Sequence, residues 1–138
     1  KERRAAEGLP REAVVLACHS RSNKYEPEAF SDWLALLQRD PGTVLWLLAE
    51  DDTTRSNLRA EAAARGVHPT RLIFASKASR SDYFSRLAIA DLMLDTRHYS
   101  AHTVAADSLW VGTPVLTLPG EGFASRVATS LYSAMDSA

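Results

Sequence analysis

The chain holds one cysteine, Cys18, and no apolar run near the roughly 18 residues that a membrane-spanning helix needs. A lone cysteine excludes an intramolecular disulfide framework and fits a reducing cytosol, so a cytoplasmic location is expected. At the end of the run Ala13-Val14-Val15-Leu16-Ala17, Cys18 reads as a small core residue. No signal-peptide pattern, internal repeat or low-complexity tract is present. The net charge of -1, with 24% charged residues, provides no bulk basic field, and nucleic acid is not an expected partner. Several motifs are missing as well. Without GxxxxGK there is no P-loop nucleotide hydrolase, and without GxSxG there is no nucleophile elbow for a Ser-His-Asp hydrolase. His98 and His102 stand four apart, flanked by Asp95 and Asp107, yet they fall in an expected loop and no HExxH supports them; no metal site is expected. Gly120-x-Gly122-x-x-Ser125 is close to the dinucleotide fingerprint, but it follows the last expected strand. It also lacks an acidic residue about 20 positions on in a following strand, so NAD is not expected.

What is present is enough for one domain: 138 residues, 46% of them hydrophobic. Five short apolar runs, Ala13 to Cys18, Val44 to Leu48, Leu72 to Phe74, Leu92 to Leu94 and Val115 to Leu118, read as strands. Between them lie helical patterns. Phe30, Trp33, Leu34 and Leu37 recur at i, i+3, i+4, i+7, and Ser56 to Arg65 is alanine-rich and stopped by Gly66. Ser81 to Ile89 is expected to turn Phe84, Leu87 and Ala88 inward, and Thr103 to Val111 is ended by Gly112 and Pro114. A last helix is expected over Phe123 to Met135, with Ala124, Val127, Ala128, Leu131 and Met135 in one stripe. Strands apolar throughout, alternating with helices and lacking hairpin signals, predict an α/β fold with a doubly wound parallel sheet. The KERR opening and the lack of a helix stop before Ala138 point to a domain cut from a longer protein.

In such a sheet ligands bind outside the carboxyl ends of the strands, so the loops after strands one, three, four and five are expected to meet at one crevice. These loops hold the unusual polar residues, His19 to Lys24, Ser76 to Tyr83, Arg97 to Thr103 and Pro119 to Ser125. A helix opening at Thr103 directly after a strand and a polar loop offers free N–H groups and partial positive charge, which suits a phosphate. Thr103 and Asp107 lie one turn apart on the side facing the crevice. Asp107, between Val-Ala-Ala and Ser-Leu-Trp, is either a solvated helix carboxylate or one that seeks a specific hydroxyl partner. Tyr83 is either a stacking platform for a base or a half-buried helix-edge tyrosine, and Lys24 either a solvated loop lysine or an anion ligand.

The segments LDT, YSAHT with Asp107 five residues after His102, LWVGTP and PGEGFASRVA together resemble the catalytic region of the O-linked N-acetylglucosamine transferases. This glycosyltransferase family includes the plant SPINDLY proteins. A weaker likeness extends upstream through Leu72-Ile73-Phe74 and Val44 to Leu48 as far as Lys24. The resemblance implies a GT-B enzyme, with residues 1–138 as the C-terminal, UDP-sugar-binding Rossmann-like lobe. On the same ground His102 and Thr103 cradle the diphosphate, Asp107 fixes the ribose, and Lys24 neutralises the departing UDP. Arg80 takes the place of a basic residue near the ribose and Tyr83 that of a histidine against the uracil. Val104 replaces the family's usual threonine, and Ser20-Arg21-Ser22-Asn23 replaces its Asn-Gln-rich turn, one residue shorter. The implied reaction is inverting transfer of N-acetylglucosamine from UDP to Ser or Thr hydroxyls of proteins. No metal or cofactor is required. An acceptor-activating lobe and tetratricopeptide repeats are expected elsewhere in the longer protein, so this chain alone is expected to be inactive. The alternative is a catalytically inert nucleotide-sugar-binding or scaffolding module. A UDP-sugar epimerase shares the fold but lacks the HTxxxD and PGExxASR combination.

Overall fold

A computed structural model describes residues 2–19, 27–49, 51–75, 79–94 and 103–116. Among the described residues ten helices and strands follow one another: α1 Glu2–Ala6, β1 Val14–Cys18, α2 Pro27–Arg39, β2 Thr43–Leu48, α3 Asp52–Ala64, β3 Leu72–Ala75, α4 Arg80–Ile89, β4 Leu92–Leu94, α5 Thr103–Trp110 and β5 Val115–Leu116. A 3-10 turn over Pro69–Arg71 leads into β3. The five strands form one sheet in the order β3-β2-β1-β4-β5, and every pairing is parallel. Ala17 lies beside Trp46 of β2 and Met93 of β4, so β1 is central.

Alternation along the strands sorts the core into two layers. Val15, Ala17, Val44, Trp46 and Met93 point to one face, where Leu87, Ala90, Leu109 and Val111 of the α4 and α5 regions cover them. Leu16, Cys18, Leu45, Leu47 and Leu94 point to the other, beneath Phe30, Trp33, Leu34 and Leu37 of α2 and Ala62 of α3. Both faces of the central strands are therefore dry from Val15 and Val44 onward, which is why these stretches are apolar at every position. Cys18 is fully buried, as its run implies.

Several boundaries differ from the sequence expectation for local reasons. α3 begins at Asp52, four residues before Ser56, because Asp51 caps it: its Oδ1 accepts from Thr54 N at 2.7 Å and its Oδ2 from Thr54 Oγ1 at 2.7 Å. A short helix, α1, occupies the charged alanine-rich opening, and Leu9 after it is buried. The inward face of α4 is also rotated from the expected one. Leu87 is fully buried and Tyr83 and Ile89 pack on the core, but Ala88 is exposed. The rotation follows from the anchors at the far end of the helix. The Leu87 carbonyl accepts from Thr113 Oγ1 at 2.6 Å, and that of Ile89 accepts from Arg4 Nη2 at 2.9 Å, satisfying acceptors that the last turn leaves free. The expected helix over Phe123 to Met135, and Thr117 and Leu118 of the fifth strand, lie outside the described residues.

Candidate functional site

Strand order locates the site. From β1 the chain runs outward through β2 to β3 with α2 and α3 on one face, then returns through α4 to β4 and continues to β5 with α5 on the other. The direction of winding reverses between β1 and β4, and at such a switch point the loops leaving the carboxyl ends part to leave a crevice. β1 ends at Cys18 and β4 at Leu94, side by side in the sheet.

Asp107 and Tyr83 are the described pair at this end. Asp107 is the fifth residue of α5 and is partly exposed. Tyr83, in the first turn of α4, donates its phenol hydrogen to Asp107 Oδ2 at 3.0 Å. The carboxylate thus has a specific hydroxyl partner supplied from within the chain. Burial, and then the hydrogen bond to Asp107, push the Tyr83 hydroxyl well above the usual phenol range, so it remains a donor at any physiological pH. The Tyr83 ring meets Phe84 edge to face at 5.3 Å between centroids. Ser79 starts α4, accepting from Asp82 N at 3.4 Å and donating to Asp82 Oδ2 at 2.9 Å, which sets the position of Tyr83 one turn along.

Arg80 opens α4 and Thr103 opens α5, so both backbones stand at helix N-termini, whose first N–H groups have no partner within the helix itself. Lys24 and His102, expected on the diphosphate, lie outside the described residues, as do His98 and the PGEGFASRVA segment.

One residue at this end was not singled out from the sequence. His19 follows β1 directly and reads there as the start of a polar loop, but it is 6% exposed. The period of two explains this: Val15, Ala17 and His19 fall on the same face of the strand. Its ring meets Trp46 edge to face at 4.4 Å, and His19 Nε2 and Trp46 Nε1 have no hydrogen-bond partner among the described residues. Burial, with the Arg86 guanidinium adding to it, pulls the imidazole down to about 4, so His19 is neutral near pH 7.

Residues 2–137 match the model of glycosyl transferase family 41. The chain is 40% identical over 131 residues to the Arabidopsis thaliana protein named probable UDP-N-acetylglucosamine–peptide N-acetylglucosaminyltransferase SEC, covering 95% of this chain and 13% of the relative. It is 37% identical to the Caenorhabditis elegans UDP-N-acetylglucosamine–peptide N-acetylglucosaminyltransferase, covering 94% and 11%. Among solved structures, a variant of the Thermobaculum terrenum O-GlcNAc transferase superposes with a TM-score of 0.84 at 34% identity, over 88% of this chain and 24% of that one. The Anabaena protein HepE, in complex with UDP and glucose, shares the fold, with a TM-score of 0.63 at 19% identity over 98% and 42%. The parallel sheet with helices on both faces is the Rossmann-like lobe of a GT-B glycosyltransferase, and the chain belongs to glycosyl transferase family 41.

Proposed function

We propose that this chain is the nucleotide-sugar-binding lobe of an inverting glycosyltransferase that moves N-acetylglucosamine from UDP to Ser or Thr hydroxyls of proteins. The observation that carries the reading is the Asp107 carboxylate, held by Tyr83 on the helix that follows β4 at the switch point, in a member of family 41. The two relatives above are named as peptide N-acetylglucosaminyltransferases, the first as a probable one, and the chain spans only 13% and 11% of their lengths. Acceptor recognition and activation are therefore assigned to other parts of a longer protein.

Each residue has a chemical role on this reading. Asp107 accepts from the ribose hydroxyls. His102, Thr103 and the first N–H groups of α5 receive the diphosphate, and Arg80 and Tyr83 border the ribose and the base. Lys24 neutralises charge as UDP departs. Two features support the cluster: β1 and β4 are neighbours, so the stretches carrying Lys24 and His102 start from adjacent strand ends, and α5 begins one residue after His102. No metal is required, because a lysine and a helix N-terminus supply positive charge where the leaving group develops negative charge. A lone exposed lysine stabilises such charge weakly in water; a second source aimed at the same phosphates in a desolvated crevice strengthens it.

Steady-state kinetics on the full-length enzyme, at saturating acceptor and varied donor, tests the assignment. Lys24→Ala should lower turnover by about 10²-fold while weakening donor binding less. Asp107→Asn should instead raise KM for the donor. Unchanged turnover in folded Lys24→Ala protein removes the lysine from the mechanism and favours an inert nucleotide-sugar-binding module.

A further inference from the structure

We infer that Tyr83 is a positioning residue that makes the site selective for ribose: its hydroxyl holds one oxygen of Asp107 so that the other is presented to the vicinal diol of a ribonucleoside diphosphate. The inference rests on the donor-binding reading above and adds to it the origin of sugar selectivity in the nucleotide.

The geometry starts from what a carboxylate can do. Ionised Asp107 has two oxygens, both acceptors, and a ribose diol offers two O–H donors. A partly exposed aspartate on a helix has several rotamers, and a ligand that needs one of them must bear the cost of selecting it. In this chain the selection is made beforehand. Tyr83 Oη donates to Asp107 Oδ2 at 3.0 Å, between residues 24 positions apart on α4 and α5, leaving Asp107 Oδ1 as the other acceptor.

The chemistry of the partner matters as much as its distance. An arginine or lysine in the same place would fix the carboxylate but also neutralise it, weakening it as an acceptor. A phenol fixes it and leaves the full negative charge for the diol. Burial and Asp107 itself keep that phenol protonated, so its role as donor does not switch off with pH. Tyr83 is in turn held from behind. Its ring packs on the core layer of α4 and α5 and against Phe84, and Ser79 caps the helix turn that carries it. A site side chain supported in this way keeps its geometry before the ligand arrives.

The experiment is isothermal titration of the full-length enzyme with UDP and with 2′-deoxy-UDP, in the wild type and in the variants Tyr83→Phe, Asp107→Asn and the double variant. Wild type should prefer UDP. Tyr83→Phe, which keeps the ring, should lose about fivefold in UDP affinity and little in 2′-deoxy-UDP affinity, so the preference shrinks. Asp107→Asn should shrink it too, and adding Tyr83→Phe to that variant should change the preference no further. Equal loss for both nucleotides, or an unchanged preference in folded Tyr83→Phe, overturns the positioning role while leaving the donor-binding reading intact. A wild type that binds neither nucleotide overturns both.

Discussion

At the scale of single residues, burial decides which polar groups respond to pH. An unfolded histidine takes up a proton near pH 6.5, but His19 in the folded chain does so only near 4. The unfolded state therefore binds more protons across this window. The stability that depends on neutral His19 is complete above about pH 6.5 and falls as the pH drops toward 4, by about 3 kcal/mol. Urea unfolding at a series of pH values should show this slope, and His19→Phe, which fills the same space beside Trp46 without a titrating group, should flatten it. An equal slope in wild type and variant would assign the acid sensitivity to other groups. A second buried group gives a prediction independent of pH. Thr113 Oγ1 is the partner of the Leu87 carbonyl, so Thr113→Val keeps the shape but strands that acceptor, and should cost about 1–2 kcal/mol in a denaturation midpoint.

At the scale of elements, α1, α3 and α5 end where a glycine turns the chain left-handed. Gly112 has φ of 89°, its N–H donates to Leu109 O at 3.1 Å, and Thr113 N donates to Ser108 O at 2.9 Å, which together close the last turn of α5. The ideal Cβ position at Gly112 meets nothing within 4 Å, so an alanine there would suffer from its backbone conformation alone. Gly112→Ala should destabilise by about 1 kcal/mol, read from thermal unfolding, without blocking the fold. The same closure places Val115 next to Met93, so α5 and β5 are joined by a turn with little freedom. Asp107 inherits its place from this arrangement: α5 is held at its end by Gly112 and Thr113, and at its middle by Tyr83 from α4.

At the scale of the whole molecule, stability is greatest where the sheet is covered on both faces. β1 and β2 pair along five residues, while β5 is last in the described sheet, with Leu116 exposed. In hydrogen exchange the amides of β1 and β2 should be the slowest and those of β5 faster; the reverse order would contradict this distribution of the core. Exposed apolar surface at Trp110, which is 86% accessible, stands at the far end of α5 from the crevice. Among the described residues no helix is long and apolar enough to cross a membrane.

Much of the fold was legible in the sequence because its signals are local. Five apolar runs mark the strands, Phe30, Trp33, Leu34 and Leu37 mark the buried face of α2, and Gly66 and Gly112 mark helix ends. Continuous apolar strands also implied a parallel sheet, since only a sheet covered on both faces needs them. Family membership was legible in the spacing of His102, Asp107, LWVGTP and PGEGFASRVA, which no general propensity would produce. Contacts between distant segments were not legible. That Asp107 wants a hydroxyl partner follows from its apolar neighbours, but that Tyr83 supplies one depends on how α4 crosses back over the sheet to meet α5. Nor could sequence show that Arg4 and Thr113 would satisfy the last carbonyls of α4, and so turn Ala88 outward. His19 looked like loop because its neighbours are polar, yet it is a core residue because the strand's alternation and the ring of Trp46 close over it. Sequence by itself determines which residues can form a strand, cap a helix or bind an anion; tertiary structure alone decides which of them meet, because a hydrogen bond depends on a separation in space that the chain order does not contain.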